Sequence, residues 1–294
     1  MTKKIVMVTG VSSGFGFRTC QKLVEAGHHV VGTMRNLRDK NARSAERLES
    51  SVDSASGKLF LVEMDVTDDQ SVAKGTKEAV SSAGEIEVLV NNAGIGLLGV
   101  CEGFTGEQVR RIMDPHVAGS HRVTRAVLPA MRNRKNGLII YTGSIMGRIV
   151  VPFSAPYTAS KFAIEGMAEG LAYELKGSGV DVAILQPGGF PTEILDKSEG
   201  PADSSALDQC KELCKRNDDL WKMWFGMLEE ASPDIDLIAN AVQDLILADP
   251  QDRPLRKIVD PVTGGEPAKI LNAAASKVQR ELLDGIGYGD MFRE

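Results

Sequence analysis

The chain has 294 residues, of which 43% are apolar and 25% charged, and its net charge at pH 7 is −6. This composition can bury one large core, so we expect a single domain over residues 1–294. The acidic balance, without a face rich in Lys and Arg, argues against nucleic acid or anionic membrane as a partner. The strand-like IVMV begins at residue 5 and no run of about 18 apolar residues follows, so we expect neither a signal segment nor a membrane span, and a cytoplasmic location.

The four cysteines and four histidines show no spacing typical of a metal centre. Only Cys210 and Cys214 lie close together among the cysteines, at helical spacing and without a nearby histidine. We therefore expect reduced thiols and no metal site.

The opening IVMVTGVSSGFG predicts a strand and a glycine turn, and FRTCQKLVEAG then predicts a helix. Glycines at 10, 14 and 16 would let the backbone approach a pyrophosphate, to which the helix N-terminus offers N–H groups. The spacing T-G-x-x-x-G-x-G differs from G-x-G-x-x-G, so the turn geometry should differ from the commonest dinucleotide site. The alternative interpretation is a tight connection that binds nothing.

The second predicted strand, HHVVGT, leads into Met34-Arg35-Asn36. A ribose with free hydroxyls is usually held by Asp or Glu at this strand end, whereas a 2'-phosphate requires a cation. No acid stands here, while Arg35 does, and Ser12 or Ser13 could add a hydroxyl. We therefore expect NADP(H) as the cofactor, the alternative being an ordinary solvated arginine.

Five further strands are predicted by LFLVEMDVTD, VLVNNAGIG, GLIIYTGS, VDVAILQP and RKIVD. Asp65 and Val66 end the third strand and would reach the adenine edge. Asn91-Asn92-Ala93-Gly94 ends the fourth strand, where open parallel sheets form ligand crevices. A simple Asx turn would also account for this sequence.

Tyr157 and Lys161 stand four positions apart in a predicted helix, so both side chains share one face. A nearby ammonium favours the phenolate, and we expect the pKa of Tyr157 to move from about 10 toward neutrality. Ser144 ends a predicted strand and could donate a hydrogen bond to a carbonyl oxygen. The three residues predict a proton donor and an oxyanion holder, although Tyr-x-x-x-Lys alone also occurs by chance.

The combination of TGVSSGFG, NNAG, a serine thirteen positions before tyrosine, Y-T-A-S-K and Pro187-Gly188 with Thr192 resembles the short-chain dehydrogenase/reductase family over residues 3–195. The whole chain looks most like the branch that handles hydroxysteroids, retinoids and other bulky carbonyls. The resemblance implies an α/β fold, a Rossmann-type doubly wound parallel sheet of about seven strands in a single domain with a helical lid insertion. It also implies hydride transfer between a nicotinamide and an apolar ketone, aldehyde or secondary alcohol.

The resemblance further implies a role for each matching residue. Tyr157 would be the general acid-base, Lys161 would lower its pKa and hold the nicotinamide ribose, and Ser144 would bind the substrate oxygen. The other implied contacts hold the cofactor. Its phosphates would be bound by Gly10, Ser12, Ser13, Phe15 and Gly16, and its ribose and adenine side by Asn92, Ala93 and Gly94. Its nicotinamide would be bordered by Pro187, Gly188 and Thr192.

A long helical pattern over residues 106–134 contains Pro115, which predicts a kink near 114–116. The family commonly has an asparagine in this kinked helix, where it holds a water in the proton path to the lysine. The matching residue here is His116. An imidazole could relay protons itself, since its ordinary pKa is about 6.5, or it could be a packed structural histidine.

The stretch after Thr192 is less familiar. The resemblance places a substrate lid at 193–232, although the apolar cluster LWKMWFGMLEE within it could equally belong to the core. Residues 262–294 form a C-terminal extension. Because family members often pair through their long helices, here about 107–134 and 157–176, the resemblance also implies a homodimer or homotetramer.

Two other functions fit parts of the pattern. A non-catalytic NADP(H)-sensing protein of the same fold would treat His116 as a sign of lost activity, but the intact Ser-Tyr-Lys set argues against it. Epimerisation or dehydration of nucleotide sugars usually requires a longer C-terminal substrate domain, for which 294 residues leave little room.

Overall fold

The computed structural model describes residues 3–193 and 198–293, and these form one domain around a parallel sheet. Within these residues the sheet has seven strands in the order β3-β2-β1-β4-β5-β6-β7. The strands are β1 (Ile5–Thr9), β2 (His29–Met34), β3 (Lys58–Glu63), β4 (Val88–Asn91), β5 (Gly137–Thr142), β6 (Val180–Pro187) and β7 (Arg256–Val259). The strand order reverses between β1 and β4, so a crevice opens at the carboxyl ends of these two strands. The predicted doubly wound sheet is confirmed.

Helices cover both faces of the sheet. They are α1 (Gly14–Glu25), α2 (Ala42–Ser51), α3 (Asp69–Ala83), α4 (Gly106–Met113), α5 (Ser120–Asn133), α6 (Ala155–Glu174), α7 (Ser204–Gln209), α8 (Lys211–Ala231), α9 (Asp236–Leu247) and α10 (Glu266–Gly285). Successive strand residues point to opposite faces, so Val6 and Val8 of β1 pack with α1 and α9 while Met7 packs with α3, α5 and α6. Two apolar layers of the core therefore enclose the sheet.

The predicted kink near residues 114–116 is present as a π-helical turn, Asp114–Gly119, between α4 and α5. Pro115 has no N–H group and cannot make the usual i→i−4 bond, which accounts for a wider turn at this position. The turn buries the side chain of His116. His116 thus continues the buried face of Gln108 and Ile112, each four positions from the next.

The segment predicted as a lid, 193–232, contains α7 and α8, and its residues 194–197 lie outside the described part of the chain. Met223, Phe225 and Met227 of α8 are exposed, whereas Leu228 is buried. Met223, Phe225 and Met227 are thus not part of the core, while Trp221 and Trp224 are half-buried. No helix in the described residues combines the length and hydropathy that crossing a bilayer requires.

Candidate active site

The glycine turn after β1 has the backbone geometry of a phosphate cradle. Gly10 and Gly14 have φ angles of 73° and 56°, a region that favours glycine. A Cβ on Gly16 would come closer than 3.0 Å to the Gly10 carbonyl oxygen, so α1 begins directly against the turn. Ser12 and Ser13 are half-buried just before α1, whose first turn presents backbone N–H groups. Close backbone approach and a helix N-terminus both fit a pyrophosphate.

The loop after β4 is tied to this turn across the switch point. The side-chain amide of Asn92 donates to the carbonyl oxygens of Thr9 and Gly10, at 2.9 and 3.2 Å. The hydroxyl of Thr9 accepts from the backbone N–H groups of Asn92 and Ala93. The predicted residues Asn92 and Ala93 therefore fix the crevice wall through their own hydrogen bonds.

At the carboxyl end of β2, the side chain of Arg35 is 61% exposed and its Nη1 lies 3.9 Å from Oδ2 of Asp65. Asp65 also accepts from the N–H and hydroxyl of Thr67, which hold its carboxylate in place. Val66 is buried against Gly119 of the π-helical turn. The structure thus brings Arg35 and Asp65 together at the edge predicted to receive the adenosine, with the guanidinium free to turn toward an anion.

The three residues predicted to carry the chemistry lie together. Ser144 follows β5, and its hydroxyl accepts from the N–H of Met146 at 3.1 Å. Lys161 is buried on α6, where its ammonium lies 5.5 Å from the ring centre of Tyr157 and donates to the carbonyl oxygen of Thr142 at 2.9 Å. This arrangement places a hydroxyl, a phenol and an ammonium side by side above the carboxyl end of the sheet.

The expected lowering of the pKa of Tyr157 is wrong for the chain described here. Burial raises the pKa of this phenol to about 12, against the opposing effect of a hydrogen bond with Ser144. The physical reason is that the ring packs against an apolar cluster of Leu97, Phe104 and Ile112, which disfavours a phenolate. Burial also lowers the pKa of Lys161, to about 8. Tyr157 is therefore a protonated donor at neutral pH.

His116 uses both of its ring nitrogens in buried hydrogen bonds. The N–H of Ile95 donates to Nε2 at 2.9 Å, so in the neutral ring Nδ1 carries the proton and donates to the hydroxyl of Ser160 at 2.8 Å. Ser160 in turn donates to the carbonyl oxygen of Tyr157 at 2.7 Å. Burial, and secondly the charge of Lys161, hold the pKa of His116 well below its usual range. A neutral imidazole therefore connects the β4 loop to the tyrosine turn of α6.

The residues predicted to border the nicotinamide lie between the serine loop and the glycine turn. The hydroxyl of Ser144 donates to the carbonyl oxygen of Pro187 at 3.4 Å, and the N–H of Gly188 donates to the carbonyl oxygen of Val259 at 2.8 Å. Thr192 lies opposite Gly14, within van der Waals distance of where a Cβ there would stand.

Two other predicted cofactor residues contact the protein itself. The ring of Phe15 meets Phe190 edge-on, with centroids 5.4 Å apart. Gly94 lies against the ring of His116, because a Cβ there would come closer than 3.0 Å to Nε2. Both residues are therefore packed against neighbouring side chains of the protein.

The sequence analysis missed Glu165, which is fully buried one turn after Lys161. Its carboxylate accepts from the N–H of Ser144 at 3.4 Å and from the side-chain amide of Gln186 at 2.7 Å. The available signal was the i+4 spacing from Lys161, which places an acid on the sheet-facing side of the same helix.

The base of the predicted lid is attached beside Tyr157. Leu97 forms a parallel bridge with Glu199, and Gly99 donates its N–H to the carbonyl oxygen of Phe153 at 2.8 Å. Gln108, which closes a capping box with Thr105 at the start of α4, also donates to the carbonyl oxygen of Gly200. The loop after β4 is thus tied both to the base of this segment and to the loop that precedes α6.

Comparison with known proteins gives a family match over residues 4–202, to the family described as short chain dehydrogenase. The chain is 38% identical over 196 residues to 3-ketodihydrosphingosine reductase of Bacteroides thetaiotaomicron, which covers 67% of each protein. It is 36% identical over 198 residues to retinol dehydrogenase 8 of Bos taurus, with 66% of this chain and 61% of that protein covered. The match thus spans less than two thirds of the bovine protein. A hydroxysteroid dehydrogenase is also among the relatives.

Among solved structures, a short-chain dehydrogenase from Streptomyces avermitilis matches with a TM-score of 0.70 and 28% identity. That match covers 98% of this chain and 99% of the other, so it includes α8 and α10 as well as the region of the family match. The similarity in sequence therefore extends to a similarity in overall architecture.

Proposed function

The chain belongs to the short-chain dehydrogenase family, and we propose that it is an NADP(H)-dependent reductase of apolar ketones or aldehydes. The reverse reaction would oxidise a secondary alcohol. The observation that carries the proposal is the contact of Ser144, Tyr157 and Lys161 at the carboxyl ends of the strands. A protein that only senses the cofactor has no use for a half-buried phenol beside a serine hydroxyl and an ammonium.

The glycine turn and the β4 loop would hold the cofactor, because the first turn of α1 presents backbone N–H groups at the carboxyl end of β1, where a pyrophosphate lies in such folds. When bound, the reduced nicotinamide supplies the hydride. Arg35 would pair with the 2'-phosphate, since β2 ends without a carboxylate and the guanidinium is exposed. Asp65 lies close enough to orient the guanidinium toward that phosphate.

The protein's own residues supply the proton and the oxyanion contact. Tyr157 protonates the carbonyl oxygen as negative charge develops on it, and its raised pKa means that it carries this proton at neutral pH. Ser144 donates a second hydrogen bond to the same oxygen. Lys161, protonated below a pKa of about 8, stabilises the phenolate that remains and returns a proton to it.

An apolar substrate is supported by what surrounds Tyr157. Its ring packs against Leu97, Phe104 and Ile112, and Val150, which lies between Ser144 and Tyr157 in the sequence, is exposed. The relatives are named for 3-ketodihydrosphingosine and retinol, both of which carry large apolar groups. We therefore extend the proposal to bulky apolar carbonyls under the lid 193–232.

The test is turnover of NADPH and NADH against aliphatic, aromatic and steroidal ketones and aldehydes. We expect NADPH to be oxidised, and bulky apolar carbonyls to give a higher kcat/KM than small polar ones. NADPH binding without turnover on any carbonyl would contradict the reductase and favour the sensing protein. A preference for NADH would contradict the role of Arg35.

A further part of the proposal is a homodimer or homotetramer that pairs through α5 and α6. Phe162 on α6 is 41% exposed, which suits an apolar contact between two copies of this helix. Light scattering of the wild type and of Phe162→Glu would test it. A monomeric wild type, or an unchanged mass for the variant, would contradict pairing through this helix.

A further inference from the structure

A carboxylate lies directly beneath the loop that carries Ser144. Glu165 has a side chain 1% exposed, and its Oε1 accepts from the N–H of Ser144 at 3.4 Å. A Cβ on Gly143 or on Gly147 would come closer than 3.0 Å to this same oxygen. The loop therefore closes on the carboxylate both before and after the serine, and it needs glycine at both positions to do so.

The charge of Glu165 is balanced by two arginines from distant parts of the chain. Oε2 lies 3.4 Å from Nε of Arg148, just after the serine loop, and 3.6 Å from Nε of Arg256 at the start of β7. Glu169, one turn further along α6, lies 3.4 Å from Arg148 and 2.5 Å from Arg256. Two carboxylates thus face two guanidiniums, as a buried charge requires.

The same carboxylate is connected to the C-terminal helix. Gln186 of β6 is fully buried, donates to Oε2 of Glu165 at 2.7 Å, and accepts through its own Oε1 from the amide of Asn272 at 2.7 Å. Asn272 lies on α10, outside the residues 4–202 that match the family. Two amide side chains therefore join α10 to the serine loop.

We propose that Glu165 is a positioning residue for Ser144, and that Gln186 and Asn272 extend this support to the C-terminal helix α10. The inference rests on the proposed function for its catalytic consequence. The hydroxyl of Ser144 has a long bond, 3.4 Å, to Pro187, so the placement of the hydroxyl depends on how firmly the loop backbone is held. A misplacement of about 1 Å at a reacting group can cost about 100-fold in rate.

The test compares Glu165→Gln with Glu169→Gln. Both substitutions remove one carboxylate from the same pair of arginines, but Glu169 contacts this segment only through Arg148, whereas Glu165 also accepts from the N–H of Ser144. In Glu165→Gln, the new NH₂ group cannot accept hydrogen bonds from Gln186, Arg148 and Arg256. The side chain must therefore rotate to present its oxygen to these donors, and the N–H of Ser144 then loses its acceptor. We expect kcat to fall about tenfold or more for Glu165→Gln and less than about threefold for Glu169→Gln, with NADPH affinity kept in both.

A double-mutant cycle tests whether Glu165 acts through the serine. If it does, Glu165→Gln adds little to the loss already caused by Ser144→Ala. Losses that multiply, or equal losses for Glu165→Gln and Glu169→Gln, would overturn the positioning role. Hydrogen exchange of residues 143–147, which contact Glu165 and exclude the Glu169 partner Arg148, gives a readout that needs no substrate. We expect it to accelerate in Glu165→Gln but not in Glu169→Gln.

The far end of the connection offers a variant that removes no charge. Asn272→Ala should accelerate exchange in residues 143–147 and lower kcat about threefold, whereas Lys277→Ala, an exposed change on the same helix, should do neither. An Asn272→Ala protein that matches the wild type would overturn the link to α10. If the wild type reduces no carbonyl, the proposed function fails, and the exchange comparison still decides the positioning claim.

Discussion

Lys161 and Tyr157 lie one helical turn apart, with the ammonium 5.5 Å from the phenol ring centre, and burial moves their pKa values apart. The pKa of Tyr157 rises to about 12 and that of Lys161 falls to about 8. Tyr157 is thus protonated at neutral pH, while Lys161 loses its proton about one pH unit above neutrality. This ordering suits carbonyl reduction, in which the phenol must begin with its proton.

A pH profile follows from the lowered pKa of Lys161. The charged ammonium is present below about pH 8 and is lost as the pH rises through that value, because burial disfavours the cation. We expect kcat/KM for reduction to be level below about pH 7 and to fall up to about tenfold per pH unit above about pH 8. Initial rates in a series of buffers at constant ionic strength measure this. In Lys161→Arg the side chain stays charged over this range, so the inflection should disappear. An unchanged inflection in that variant would show that another group causes it.

Arg35→Ala should separate the two nicotinamide cofactors. A charge-assisted contact with the 2'-phosphate is worth about 1.5–3 kcal/mol, so the Kd for NADPH should rise roughly 10- to 100-fold and that for NADH little. Titration of each cofactor by intrinsic fluorescence measures both constants. Lys40→Ala, an exposed cation five positions on, is the control and should leave both constants unchanged. Equal weakening of NADPH and NADH by Arg35→Ala would refute the assignment.

His116→Asn should destabilise the protein and leave the shape of its pH profile unchanged. An amide is too short to reach both Ile95 and Ser160, so a buried N–H loses its acceptor at a cost of about 1–3 kcal/mol. Urea unfolding measures this, with the exposed His121→Asn as control. An inflection between pH 6 and 7 in the wild type that disappears in His116→Asn would instead show a titrating relay.

Gly16 and Gly170 allow a matched pair of glycine-to-alanine substitutions, one in the proposed phosphate cradle and one outside it. A Cβ on Gly16 would come closer than 3.0 Å to the Gly10 carbonyl and the Asn92 amide, so Gly16→Ala should weaken NADPH binding about tenfold or more. Gly170 on α6 has open space at the same position, and Gly170→Ala should stabilise the protein by about 0.5–1 kcal/mol without affecting NADPH. Thermal unfolding and NADPH titration distinguish the two. Unchanged NADPH binding in Gly16→Ala would contradict the phosphate cradle.

The sequence predicts the sheet and the site for physical reasons that act locally. Buried parallel strands have continuous apolar runs in the sequence, and the residues at their carboxyl ends meet along one edge of the sheet. This is why the sequence predicts that Ser144 and Asn92 lie at the site. Pro115 predicts an irregular helix since the missing N–H is visible in the sequence alone.

What the sequence does not predict depends on distant packing. The raised pKa of Tyr157 comes from Leu97 and Phe104, far from it along the chain. Glu165 looks like an ordinary helix acid until the fold brings Arg256 and Gln186 against it. Burial and charge pairing of this kind are properties of the assembled core.

Tyr157→Phe tests the central claim most directly, with Tyr141→Phe as its control. Tyr141 is buried on β5, and its hydroxyl pairs with Thr124 at 2.9 Å rather than with Ser144. With a carbonyl that the wild type reduces, we expect Tyr157→Phe to lower kcat roughly 100- to 10,000-fold at unchanged NADPH affinity, and Tyr141→Phe to retain activity. Retention of most of the turnover by Tyr157→Phe would contradict the mechanism.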